Sequence, residues 1–142
     1  MNILIASDHA GFELKSYLIE TLGSSYNFSD IGCFDGDNVD YPDIAKDLFR
    51  KLTMQPNKYN FAILICGTGI GVSIAVNRFK GVRAALCHNV ETAKLARNHN
   101  DANILCLGAR IIDKNIAVDC CQTFLSSKFE GGRHLSRIKK ID

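Results

Sequence analysis

The chain has 142 residues, 46% of them hydrophobic and 23% charged, with a net charge of +2 at pH 7. These values fit a globular protein and exclude a disordered or fibrous one. No Lys/Arg run is longer than the Lys139-Lys140 pair, which argues against a nucleic-acid or membrane-binding face. The length fits a single domain over 1–142. Without a basic leader or a run near ~20 apolar residues, the expected location is cytoplasmic.

In chain order, "NILIAS" (2–7) reads as a first strand, and "FELKSYLIETL" follows with Phe12, Leu14, Leu18, Ile19 and Leu22 at helical spacing. "NFSDIG" (27–32) is a second strand, and a helix is expected over 40–55. "FAILIC" (61–66) is a third strand, followed by a helix over 71–79. "VRAALC" (82–87), a helix over 90–98, "NILCLG" (103–108) and a helix over 114–127 complete the pattern. Strands alternating with helices imply parallel pairing, and strands apolar throughout imply cover on both faces. The expected fold is therefore α/β: a Rossmann-like three-layer α/β/α sandwich around a five-stranded parallel sheet. After Gly131-Gly132 the pattern breaks into a basic segment with Arg133, His134 and Arg137, which composition alone reads as a solvated tail.

Six cysteines are scattered singly apart from Cys120-Cys121, and none shows C-x2-C spacing. A reducing compartment is expected, with no metal site and no cofactor. Cys120 and Cys121 share a helix face with Ile116, Ala117 and Phe124 and read as core.

In open α/β sheets ligands bind beyond the carboxyl ends of the strands. Those ends carry Ser7-Asp8-His9, the stretch Cys66-Gly67-Thr68-Gly69-Ile70-Gly71, Cys87-His88-Asn89, and Gly108-Ala109-Arg110. The glycine loop offers amides for an anion or developing oxyanion. It follows the third strand as G-x-G-x-G, so it is not the dinucleotide fingerprint, and it lacks the Lys-Ser/Thr of a P-loop. A cysteine phosphatase would need an arginine six residues beyond Cys66, where Val72 stands. A phospho-receiver would need an acidic residue near Cys66 and a lysine near Arg110. Proton transfer remains for Cys66, whose thiolate is favoured at a helix start. His99, flanked by Asn98, Asn100 and Asp101, is expected to face the same cleft as Asp8, His9 and Cys66. This inventory suits proton shuffling beside a carbonyl in a small phosphorylated molecule.

The stretches "SDHAGFELK", "DYPD", "ILICGTGIGVSIAVNRFKGVRAALC", "ARNHNDANILCLGAR" and "EGGRH" run through essentially the whole chain. They resemble the family of type B ribose-5-phosphate isomerases, which also holds galactose-6-phosphate and allose-6-phosphate isomerases. The resemblance implies interconversion of ribose 5-phosphate and ribulose 5-phosphate through a cis-enediolate, in the non-oxidative pentose phosphate pathway. A six-carbon sugar phosphate is the alternative substrate.

By the same resemblance, Cys66 moves the proton between C2 and C1. Thr68 and the loop residues Gly67, Gly69, Ile70 and Gly71 hold the substrate and its enediolate oxygens. His99 opens the sugar ring with Asp8 nearby, and Asn100 contacts the sugar or phosphate. The phosphate falls to His9, Arg110, Arg133 and Arg137, some lent by the second subunit of a homodimer, possibly a dimer of dimers. A basic segment from about 130 to 142 thereby joins the site. One branch of the family replaces the cysteine with a glutamate just after the loop; Cys66 and Val72 put this chain in the cysteine branch. His88 has no role in this scheme and reads as a rim residue.

Overall fold

The computed structural model describes residues 1–141. Asp142, the last residue of the expected C-terminal segment, lies outside them. Five apolar runs form β1 (Asn2–Ser7), β2 (Asn27–Asp30), β3 (Phe61–Cys66), β4 (Ala84–Leu86) and β5 (Ile104–Gly108). They pair in parallel in the order β2-β1-β3-β5-β4. The chain leaves β1 in one direction for β2 and in the other for β3, so strand order reverses between β1 and β3. Beyond their carboxyl ends lies the crevice where such sheets bind ligands.

Alternation along the strands assigns each helix its side. Ile3, Ile5, Ile63, Ile65, Leu105 and Leu107 face α1 (Phe12–Leu22), α4 (Val90–Asn100) and α5 (Lys114–Ser126). Leu4, Ala6, Leu64, Cys66, Ile104 and Cys106 face α2 (Tyr41–Met54) and α3 (Ile70–Val76). A sheet apolar on both faces must be covered on both, and the three layers follow. Cys120 and Cys121 are buried under β5 as expected. Burial pushes the thiols of Cys87 and Cys120 up to about 11, and those of Cys106 and Cys121 upward as well.

Two expectations change. The fourth strand shrinks from 82–87 to the three residues Ala84–Leu86. Arg83 and Val82 are instead drawn into the turn before it, where the Arg83 N–H donates to Asn103 Oδ1. The solvated tail is in fact α6 (Arg133–Ile138), because His134 and Ile138, four residues apart, bury one face of a short helix.

Candidate active site

Cys66 ends β3 and pairs with Gly108 of β5. The chain then turns through Gly69, whose φ of +76° is left-handed and therefore suits glycine. A Cβ there would also strike Leu86 Cδ1 and the Leu107 carbonyl carbon. This turn aims the Gly69 N–H at the thiol: it donates to Cys66 Sγ at 3.1 Å, and the Ile70 N–H donates to Thr68 Oγ1 at 3.2 Å. A sulfur that accepts an amide proton is better able to carry negative charge, which is the property a thiolate base requires.

A cleft of about 270 Å³ opens beside this turn. Cys66, Gly67, Thr68 and Gly71 form one wall, and Asp8, His9, Tyr41 and Arg110 form the rest. Cys66 is only 4% exposed, yet it lines the cleft. Asp8 is buried and caps a short 3₁₀ turn, with Oδ1 accepting from the Gly11 N–H at 3.1 Å. His9 begins that turn, with Nδ1 held 3.4 Å from Val39 O and 3.5 Å from Val39 N. Arg110 lies across Gly67: a Cβ on that glycine would meet its Nη1 at 3.3 Å. The backbone completes the contact, the Arg110 N–H donating to Gly67 O at 2.9 Å. A larger groove, about 380 Å³, shares Arg110 but runs between α1 and α5 and lacks the thiol.

Two expected binders stand differently. Gly69 directs its amide at the sulfur rather than into the cleft, and Ile70 is 52% exposed without lining it. Both follow from the tight turn, which spends its first amides inside the loop.

Two contributors escape a reading of the sequence. Tyr41, at the start of α2, closes the cleft opposite the loop; its ring lies so flat on Gly71 that a Cβ there would approach Cε2 to 2.8 Å. The "DYPD" stretch is the available signal. Lys15 lies wholly buried on α1. Its Nζ donates to Asp30 Oδ1 and Oδ2 at 2.7 and 2.6 Å, and to the carbonyls of Gly32 and Cys33 at 2.6 and 2.8 Å. It thereby ties down the start of the segment that runs on to Val39 and Tyr41.

His99, expected to share the cleft with Cys66, does not do so within one chain. It sits in the last turn of α4, which runs back toward the start of β5. The neighbouring Arg97 guanidinium lies 4.5 Å from the ring of Phe61, the first residue of β3, and the Asn100 carbonyl accepts from Arg83 Nε at 3.1 Å, just before β4. His99 and Asn100 therefore occupy the amino edge of the sheet, about 16 Å from Cys66 at roughly 3.3 Å per strand residue. Arg133 and Arg137 of α6 accompany them, since the His134 ring stacks on His99 at 4.3 Å and 9°. The pKa of His134 is lowered, first by burial and then by the charges of His99, Arg133 and Arg137. His88 is exposed beyond β4, as a rim residue would be. The candidate residues thus form two groups at opposite ends of one sheet.

Residues 3–141 match the model of the ribose/galactose isomerase family. The chain belongs to this family. A putative sugar phosphate isomerase of Rickettsia bellii is 49% identical over 142 residues, spanning 99% of this chain and 97% of the relative. Among family structures, a ribose 5-phosphate isomerase from Thermotoga maritima superposes with a TM-score of 0.94 at 49% identity, covering 99% of this chain and 97% of that one. Ribose-5-phosphate isomerase B from Mycoplasma genitalium, with bound ribulose-5-phosphate, gives 0.91 at 46% identity, covering 99% and 93%. Family membership extends over both edges of the sheet, so α6 is part of the shared fold rather than an appendage.

Proposed function

We propose that the protein interconverts ribose 5-phosphate and ribulose 5-phosphate, with Cys66 as the base. The observation that carries this reading is a thiol at the end of a central strand that accepts the Gly69 amide in the lining of a polar cleft. Cys66 takes the proton from C2 of the open aldose. The C2–H electron pair forms the C1–C2 double bond and pushes the carbonyl electrons onto O1 to give a cis-enediolate. Cys66 then delivers a proton to C1 while the O2 hydroxyl gives up its proton and O1 gains one, leaving the C2 ketone. The Gly67 and Gly71 edge of the loop, with the Thr68 hydroxyl, supplies polarity for the enediolate oxygens, while His9 and Arg110 meet the phosphate. The relative that holds ribulose-5-phosphate favours a five-carbon substrate over a six-carbon one. This reaction belongs to the non-oxidative pentose phosphate pathway.

The remaining groups enter from a second copy of the chain. Two-fold pairing that sets the amino edge of one protomer against the cleft of the other brings His99, Asn100, Arg133 and Arg137 to Cys66, and builds two such sites at once. His99 would then protonate the ring oxygen of the closed sugar, with Asp8 of the cleft beside it. Each chain works as one unit over 1–142, its segment from about 130 serving the neighbour's site, and dimers can pair further into a dimer of dimers. No described helix is long and apolar enough to cross a membrane, and six unpaired thiols suit a cytoplasmic location.

Proton NMR of ribose 5-phosphate in deuterated water, with the full chain and EDTA, tests the reading. Ribulose 5-phosphate should accumulate, with any deuterium exchange confined to C1 and C2. Conversion of six-carbon sugar phosphates alone, or no conversion by folded protein, would overturn it.

A further inference from the structure

At the amino edge, three side chains converge in a way that ring opening does not require. His99, Glu130 and His134 each offer one donor atom, and the three atoms lie within 4.8 Å of one another. Glu130 Oε2 is 3.9 Å from His99 Nε2 and 4.0 Å from His134 Nε2. Local structure builds the cluster: the α4 C-terminus supplies His99, and Gly131 and Gly132, with φ of +67° and +54°, turn the chain into α6 so that His134 comes back beneath Glu130. Glu130 itself is clamped to Asn98. Its N–H donates to Asn98 O at 3.0 Å, and its Oε1 accepts from Asn98 Nδ2 at 3.0 Å. Asn98 therefore orients one carboxylate oxygen and leaves the other, Oε2, facing both imidazoles, as outer partners of metal ligands do.

We propose that His99, Glu130 and His134 form a binding site for a divalent transition metal of the zinc class, with the fourth position open. Two imidazoles and one carboxylate suit zinc and its neighbours rather than magnesium or calcium, which take oxygen ligands. Tetrahedral zinc with bonds of about 2.0–2.2 Å separates its donors by roughly 3.4 Å. Closing each histidine-to-carboxylate pair therefore takes less than about 1 Å. The two imidazoles, stacked at 4.3 Å and 9°, must also rotate out of parallel before both nitrogens aim at one metal, so binding breaks that stack. In the single chain His99 is 36% exposed and Glu130 53%. One consequence rests on the function proposed above: a metal on His99 occupies the nitrogen that would hold the ring-opening proton. The loaded protein should then turn over slowly, and the site is inhibitory.

The test is titration of Co2+ into the EDTA-treated, then desalted, full chain, followed by absorption and by competition with Zn2+. The expected result is stoichiometric binding with the visible bands of nitrogen and oxygen coordination and without a thiolate-to-cobalt charge-transfer band. Glu130→Gln, which keeps the side chain's shape and removes its charge, should weaken binding at least about tenfold, and His134→Asn should do the same. Equal binding in both variants, a thiolate band, or no binding at all would overturn the site. Isomerase assays separate this inference from the one it rests on. Zn2+ inhibition reversed by EDTA and weakened in Glu130→Gln supports both, whereas binding without inhibition upholds the metal site and counts against His99 as the ring-opening group.

Discussion

At the carboxyl edge of the sheet, the candidate groups are fixed by backbone. Cys66 is the last residue of β3, the Gly69 amide meets its sulfur, and Arg110 is tied to Gly67 through its own N–H. At the amino edge, the groups stand on side chains at helix termini: His99 in the last turn of α4, with Arg133 and Arg137 at either end of α6. The first edge has little freedom to rearrange. The second takes its geometry from a ring stack, a carboxylate and, by the proposed pairing, a neighbouring chain. In the proposed function, the demanding step, abstraction of a carbon-bound proton, falls to the rigid edge, ring opening falls to the more adjustable one, and the phosphate is shared between His9 and Arg110 of the first and Arg133 and Arg137 of the second.

Substitutions at each edge can undo that contrast or tighten it. Cys66→Ser should lower kcat by about 10²–10⁴-fold, the usual contribution of a positioned base, with an unchanged melting temperature; wild-type turnover would remove the rigid edge from the chemistry. Mixing that variant with His99→Asn should restore about a quarter of wild-type activity after subunit exchange, because half the dimers carry one intact composite site. Failure of every mixture to recover would place both groups within one chain's site.

Lys15→Met should cost about 3 kcal/mol in urea unfolding, since it leaves Asp30 and two carbonyls without their buried cation. An unchanged midpoint would show that the wall carrying Val39 and Tyr41 stands without it. Arg137→Ala should raise KM for ribose 5-phosphate about tenfold with little change in kcat, the signature of uniform phosphate binding. A fall in kcat alone would move Arg137 from phosphate capture to the chemical step.

The smallest effect concerns pH. The pKa of His134 is lowered in the fold, so its neutral form is favoured. Its contribution to stability is present above the ordinary histidine value, declines as pH falls through that value toward the lowered one, and is absent below both. In EDTA, wild type should therefore lose more melting temperature than His134→Asn between neutral and mildly acidic pH; parallel curves would show that the amino edge does not sense protons through this ring.

Much of the carboxyl edge is legible in the sequence. Apolar runs ending in Asp8-His9, Cys66-Gly67 and Gly108-Ala109-Arg110 announce themselves, because strands covered on both faces are continuous in sequence and their ends are abrupt. The amino edge is harder to place, for a topological reason: a residue immediately before a strand lies at the strand's start, so His99, five residues ahead of β5, belongs opposite Cys66 rather than beside it. α6 is hidden because two buried positions, His134 and Ile138, are too few to stand out as a hydrophobic period among basic neighbours. Lys15 is hidden in plain view. Within an amphipathic helix a lysine reads as solvated, and only the fold shows Asp30, Gly32 and Cys33 gathered around its ammonium.

The close approach at Gly108 has a consequence for motion. A Cβ there would overlap the Thr68 carbonyl, and one on Gly69 would press on β5 at Leu107, so the glycine loop after Cys66 is wedged backbone against backbone on a central strand. It cannot lift without parting β3 from β5, and its opening free energy should approach that of global unfolding. Any breathing that admits a sugar must then come from the opposite wall, around Val39 and Tyr41. Amide exchange would see this as a slow clock on one side of the cleft and a fast one on the other.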